Sequence, residues 1–157
     1  MNLTQRPRNL QPRYNIAPTT TIDVVVAGDG DRALVLMRWG LVPSWWKKSL
    51  EDVPSTFNAR AETVTTKPMF RAAFKSRRCI IPASGVYEWA TEAGGKQPHF
   101  FSAADGSILA FAGLWERWRD PDTSEDMLSA TIIVTAANEW MSMFQDRVAG
   151  DVNVKHL

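Results

Sequence analysis

Two short runs in this sequence carry groups that can exchange protons or hold phosphate, at spacings that a β-strand would align. In 57–62, FNARAE, Phe57, Ala59 and Ala61 alternate with Asn58, Arg60 and Glu62. An extended chain therefore sets an amide, a guanidinium and a carboxylate side by side on one face. In 86–90, VYEWA, the residues Val86, Glu88 and Ala90 share one face and Tyr87 and Trp89 the other. That holds one carboxylate between two aromatics, and a carboxylate so placed is a candidate general acid or base. Glu88 is the leading candidate. Between the two runs, PMFRAAFKSRR predicts a short basic helix with proline in its first turn and Met69, Phe70, Ala73 and Phe74 at helical spacing.

Other chemistries find less support. There is no glycine-rich phosphate loop, no CxxC pair and no HExxH, and the two histidines, His99 and His156, lie far apart in the sequence. Neither a metal site nor a cofactor is expected. His99, after Pro98 at the head of a strand, reads as a surface or satisfied core residue rather than a ligand, and His156 sits next to the last residue. A Ser-His-Asp machine would need one of them as its base, and neither has a serine nearby in a strained elbow. The one cysteine, Cys79, cannot form an internal disulfide, which fits a reducing compartment. Its neighbours Ile80 and Ile81 mark it as a buried thiol rather than a reactive one.

The net charge of +1 conceals an asymmetry. Residues 1–78 hold 13 Lys or Arg against 6 Asp or Glu, a balance of +7; residues 79–157 hold 5 against 11, a balance of −6. Two readings stand side by side: a basic half that meets a polyanion such as nucleic acid, or two solvated surfaces that neutralise each other across the fold. Paired tryptophans sharpen the first. Trp45 and Trp46 sit beside Lys47 and Lys48 in a segment bounded by glycine and prolines, GLVPSWWKKSLEDVPST. Exposed there, they could stack unpaired bases, while Arg60, Lys67, Arg71, Lys75, Arg77 and Arg78 could track phosphates. Trp39, Trp89, Trp115 and Trp140 lie in apolar patterns and read as core.

The elements that must position these residues are mostly strands. TIDVVVA, the turn Gly28–Asp31 and RALVLMRW predict a hairpin. After the central stretch, TEAGGKQ reads as a hairpin connection, PHFFSAA as a strand, and Asp105-Gly106 as a turn into SILAFAGLWERW. The loop RDPDTSED leads to MLSATIIVTAAN, whose continuous apolar middle predicts burial on both faces. Asn138 can cap a short helix, EWMSMF. The pattern is a meander of about seven or eight strands closing toward a barrel, an α+β fold, β-rich and mainly antiparallel, with a few short helices. Length and composition suit a single domain, 1–157, and no oligomeric state is legible. No apolar run approaches the roughly 20 residues of a membrane helix, and no signal peptide is seen, so a cytoplasmic location, beside the nucleoid in a bacterium, is expected.

The ordered set RYNIAPTT, RWGLVPSWWK, FNARAET, KPMFRAAFKSRRCIIPASGVYEW, KQPHFF, LAFAGLWERW and TIIVTAAN resembles the SOS response-associated peptidase (SRAP) family, from Arg13 to Arg147. That family processes abasic sites in single-stranded DNA through a β-rich barrel-like domain with a positively charged groove. Removal of its initiator methionine exposes a cysteine that captures the sugar aldehyde as a thiazolidine crosslink. The resemblance implies that Asn58 helps position the N-terminal residue and that Glu88 acts in methionine removal and proton transfer. It implies phosphate contacts for Arg60 and Arg147 and a groove lined by Trp45 and Trp46, and the basic pattern adds Lys67, Arg71 and Arg78 as DNA-binding candidates. Two positions depart from the family: Asn2 stands where its cysteine is found, and Gln145 where its His-Asp-Arg has histidine.

A glutamine cannot shuttle a proton at neutral pH. The expectation is a shortened single-stranded DNA-binding protein of the abasic-site class whose crosslinking is impaired. A hydrolase or lyase using Glu88, or an inactive interaction module, stands as the alternative.

Overall fold

The computed structural model describes residues 12–28, 31–92, 94–137 and 147–150. The β-branched run forms β1 (Thr21–Ala27), which pairs antiparallel with β2 (Arg32–Trp39) from Thr21 opposite Arg38 to Ala27 opposite Arg32. This is the hairpin the sequence predicts, and its alternation sends Ile22, Val24, Val26, Ala33, Val35 and Met37 inward. Gly40 ends β2 at φ +131, a region L side chains rarely adopt, and a Cβ there would lie 2.6 Å from the Arg38 guanidinium.

The long segment 40–57 holds a single 3-10 turn, Leu50–Asp52, and runs into the short β3 (Asn58–Arg60). A tight turn follows, then α1 (Arg71–Ser76), β4 (Arg78–Ala83) and the hairpin of β5 (Val86–Glu92) with β6 (Gly95–Phe101). Two strands of eleven residues, β7 (Leu109–Arg119) and β8 (Asp126–Ala136), and the short β9 (Arg147–Ala149) complete the order.

β1, β2, β4, β7 and β8 close into a ring, because β8 pairs both with β7 and with β2. The α+β, β-rich, barrel-like expectation is thus met. The arrangement is not a simple meander, however. β2 and β3 both run parallel to β8, and β5 with β6 form a separate two-stranded sheet. Among the described residues α1 is the one α-helix. The helix expected after Asn138 lies outside the described residues, as do Trp140, Gln145 and His156.

Two apolar cores hold the elements. The barrel interior joins the β1–β2 residues to Cys79, Ile81, Phe111, Ala130, Ile132 and Val134. The second lies beneath β3 and α1 and joins Leu41, Ala59, Val64, Phe70, Ala73 and Leu114, with Met69 and Phe74 packed against it. The helical spacing of Met69, Phe70, Ala73 and Phe74 is therefore the spacing of its buried face. β8 has the burial its apolar middle predicts, with Ser129, Ala130, Thr131 and Ile132 all inside.

Two sequence expectations are corrected. The polar alternation continues only to Arg60, because the chain turns at Ala61 and the amides of Thr63 and Val64 close onto Arg60 O. Trp89 is not core: it is 55% exposed, since β5 and β6 stand off the barrel and one face of their sheet is uncovered.

Strands in the ring approach closely at Gly113, where a Cβ would lie 2.9 Å from Ile81 Cδ1, 2.9 Å from Thr131 O and 3.0 Å from Cys79 Sγ. Backbone on one side and packed side chains on the other leave no room for a methyl group. Gly113→Ala is expected to destabilise the fold by about 1–3 kcal/mol, read as a lower Tm in thermal unfolding. An unchanged Tm would mean that the ring relaxes at this point.

Candidate nucleic-acid interface

β8 does most of the positioning. Its two edges carry four partners: β7 then β9 along one, β2 then β3 along the other. β3 enters alongside β8 with Asn58 opposite Ile132 and Arg60 opposite Val134. Ala59 between them is fully buried, so Asn58 and Arg60 are turned outward and both are exposed. On the other edge β9 sets Ala149 opposite Val134 and Arg147 opposite Ala136. The end of β8 thus brings Arg147 to Arg60 and Glu62, with Arg147 lying 85 residues beyond Glu62 in the chain.

Arg147 spans this end. Its guanidinium donates to Glu62 Oε2 at 2.5 Å and to Val134 O at 3.2 Å, and Val134 O also accepts from Ala61 N at 2.9 Å. Glu62 has its carboxyl held below the usual carboxylate range, first by its own backbone amide, then by the Arg147 hydrogen bond, with the charges of Arg147 and Arg60 adding to it. Arg147 therefore already binds a carboxylate, and an incoming phosphate would compete with Glu62 for it.

The tryptophan pair lies toward the other end of β8. Trp46 N donates to Pro43 O, Trp46 Nε1 to Ser49 O, and the buried Trp118 gives its indole N–H to Trp46 O at 2.8 Å. Those bonds fix the loop and leave Trp45 48% exposed, its ring 6.0 Å from that of Trp46. Trp118 pairs with Met127, five residues along β8 from the rung of Asn58, or about 17 Å at the rise of a strand. Lys47, Lys48, Lys67, Arg71 and Arg78 are all exposed. Arg77 is otherwise engaged: it donates to the buried Glu116 at 2.7 Å.

Glu88 is half-buried on β5, with Val86 beside it packed on the barrel core and Ala90 buried. Asn58 and Glu88 thus stand on different sheets with no ladder between them. The register of the hairpin supplies a neighbour that sequence reasoning missed: His99 lies directly opposite Glu88. The expected connection TEAGGKQ hid this, because the strands continue through Glu92 and resume at Gly95, and that tight turn sets the register. Asn2 and Gln145 lie outside the described residues. Among the described residues no cluster of His, Cys, Asp and Glu could hold a metal ion, and no helix is long and apolar enough to cross a membrane.

A family profile described as SOS response associated peptidase (SRAP) matches residues 1–152. The chain is 39% identical over 139 residues to the abasic site processing protein YoaM of Bacillus subtilis, covering 88% of this chain and 60% of that protein. It is 32% identical to the abasic site processing protein HMCES of Xenopus tropicalis, over 88% of this chain and 50% of the relative. A crystal structure of a protein from Bordetella bronchiseptica superposes with a TM-score of 0.82 at 26% identity, over 91% of this chain and 73% of that one. The chain thus spans about three fifths of the length of YoaM.

Cys79 sits inside the ring, and burial pushes its thiol up to about 12. Since the thiolate is the reactive form, Cys79 is expected to resist a disulfide reagent at mildly alkaline pH while the protein is folded. It should react fully in denaturing guanidinium. Rapid labelling of the native protein would show the thiol to be accessible.

Proposed function

We propose, from the premise that this chain belongs to the SOS response associated peptidase (SRAP) family, that it binds single-stranded DNA and acts at abasic sites, the substrate class for which its relatives are named. What supports the reading is Arg60 on β3 and Arg147 on β9, both strands paired with β8, together with the exposed Trp45 in a loop held by Trp118 of β7, the strand on the other rungs of β8. Single-stranded DNA offers two things to such a surface: a phosphate at each nucleotide and unpaired base faces. Arg60 and Arg147 take phosphate at one end, with Glu62 released as Arg147 turns to it. Trp45, backed by Trp46, stacks a base toward the other, and Lys67, Arg71 and Arg78 follow the backbone.

In this reading Asn58 and Glu88 serve the chemistry, Asn58 as hydrogen-bonding amide and Glu88 as proton carrier in a peptidase- or lyase-like step. A thiazolidine needs a free thiol, and the one cysteine of these 157 residues is Cys79, buried with its pKa raised. In this reading these residues supply no thiol for the crosslinking route, and binding is the activity proposed for them. Such a protein works with damaged DNA in the cytoplasm, in the SOS response.

Two measurements test this. A single-stranded oligonucleotide should shift on a native gel, with log K falling by about 0.7 per phosphate contacted for each unit of log salt. Arg60→Ala should weaken binding about tenfold, the loss of one charge-assisted hydrogen bond. No shift at low salt would end the binding claim. With an abasic site in the strand, a denaturing gel should show no heat-stable adduct, and a stable adduct would contradict the impaired crosslinking.

A further inference from the structure

The β5–β6 sheet has two faces of opposite character. On the outer one Tyr87, Trp89 and Phe100 are each about half exposed, at 51%, 55% and 53%, with the Tyr87 and Phe100 rings 5.0 Å apart. On the other face β5 carries Val86, Glu88 and Ala90, and β6 carries Gln97, His99 and Phe101. Glu88 and His99 occupy one rung there, and residues directly opposite in an antiparallel pair hold their Cβ atoms about 4.5–5.5 Å apart. Both are half-buried, and the Phe101 ring lies 6.5 Å from the imidazole, inclined at 35°. A carboxylate and an imidazole are thereby held as neighbours by the backbone ladder of a hairpin, not by a loop.

We propose that His99 and Glu88 form a proton-transfer couple acting on an aldehyde, the ring-opened sugar of an abasic site. This rests on the functional reading above and assigns the second residue of its chemistry. A primary amine of the protein adds to the aldehyde carbon. The nitrogen lone pair forms the C–N bond as the C=O π pair moves to oxygen. Glu88 takes the proton that nitrogen loses, and the imidazolium of His99 gives its proton to the oxygen. The product is a neutral carbinolamine, and the couple is left as carboxylic acid and neutral imidazole. Transfer of that proton across the rung restores the starting charges, which is why the two groups must be neighbours. General acid-base assistance of this kind is worth roughly 10²–10⁴ in rate.

The test uses the full chain, His99→Phe and Glu88→Gln, and an abasic single-stranded oligonucleotide with cyanoborohydride to trap imine formed from the carbinolamine. Thermal unfolding checks that both variants are folded. His99→Phe is expected to slow trapping tenfold or more while leaving affinity for intact single-stranded DNA within twofold. Trapping at the wild-type rate, or an affinity loss that accounts for the slower rate, overturns the role. Ring 15N spectra of His99 supply a readout that needs no DNA: Glu88→Gln should shift the signals of the imidazole nitrogens. Unmoved signals overturn the couple even where trapping is slowed. A wild-type protein that binds DNA but traps nothing overturns the aldehyde step, and one that binds no DNA overturns the functional reading, with the spectra still deciding whether the pair is coupled.

Discussion

A strand buried through its middle has to find hydrogen-bond partners on both edges, and β8 has no solvent to fall back on across Ser129–Ile132. Its eleven residues outrun any one neighbour. β7 pairs with it as far as Ile132 and β9 takes over from Val134, while on the opposite edge β2 serves Ser129 and Ala130 and β3 serves Ile132 to Val134. Closure of the ring and docking of β3 and β9 are therefore one requirement met in two places. The first gives the barrel. The second delivers Arg60 and Arg147 to the same end of it, with Gly150 N on Ile133 O and Ala61 N on Val134 O completing the pairing.

Packing then decides which way the delivered side chains point. Ala59 is fully buried against Leu41, Val64, Phe70 and Leu114, and a three-residue strand with its middle residue inside has its outer two directed away. Asn58 and Arg60 owe their exposure to that one methyl group and to α1, whose apolar face roofs the same core. The tryptophan loop is held by a comparable device. Trp118 spends its indole N–H on Trp46 O, while Val42 N donates to the buried hydroxyl of Ser129. A segment with hardly any regular structure is thus pinned from beneath at two points by buried donors and acceptors, and Trp45 remains exposed.

Local periodicity carries what is local. The β1–β2 hairpin, the double-sided burial of β8, the buried face of α1 and the alternation about Ala59 can all be read from side-chain type, because each follows from repeat distances of two or 3.6 residues. The parallel pairings of β2 and β3 with β8 arise from ring closure between segments about 75 to 90 residues apart, and no pattern within either strand encodes them. The β5–β6 register was lost for a different reason. Glycine, lysine and glutamine suggest a loop, yet Gly95, Lys96 and Gln97 pair with Glu92, Thr91 and Ala90. On an uncovered sheet polar residues cost little, so composition ceases to mark where the strand begins. The same lack of cover explains Trp89, whose aromatic neighbours resemble a core sequence while the face they share is bare.

The charge asymmetry can now be resolved residue by residue. If the two halves existed to neutralise each other, basic groups of the first would be found on carboxylates of the second. Arg77 meets that description, with Glu116 nearly buried beside it and Glu116 Oε1 also accepting from Arg117 N. Arg117 pairs instead with Asp126 within its own half, and Arg147 reaches back to Glu62 of the first. Lys67, Arg71 and Arg78 are exposed, and no ion pair among the described residues involves them. Internal neutralisation thus accounts for Arg77 and leaves cations on the flank of the barrel whose field is unopposed at short range. Their mutual repulsion is a standing cost to the fold that a polyanion would relieve, and the relief would grow as salt is lowered.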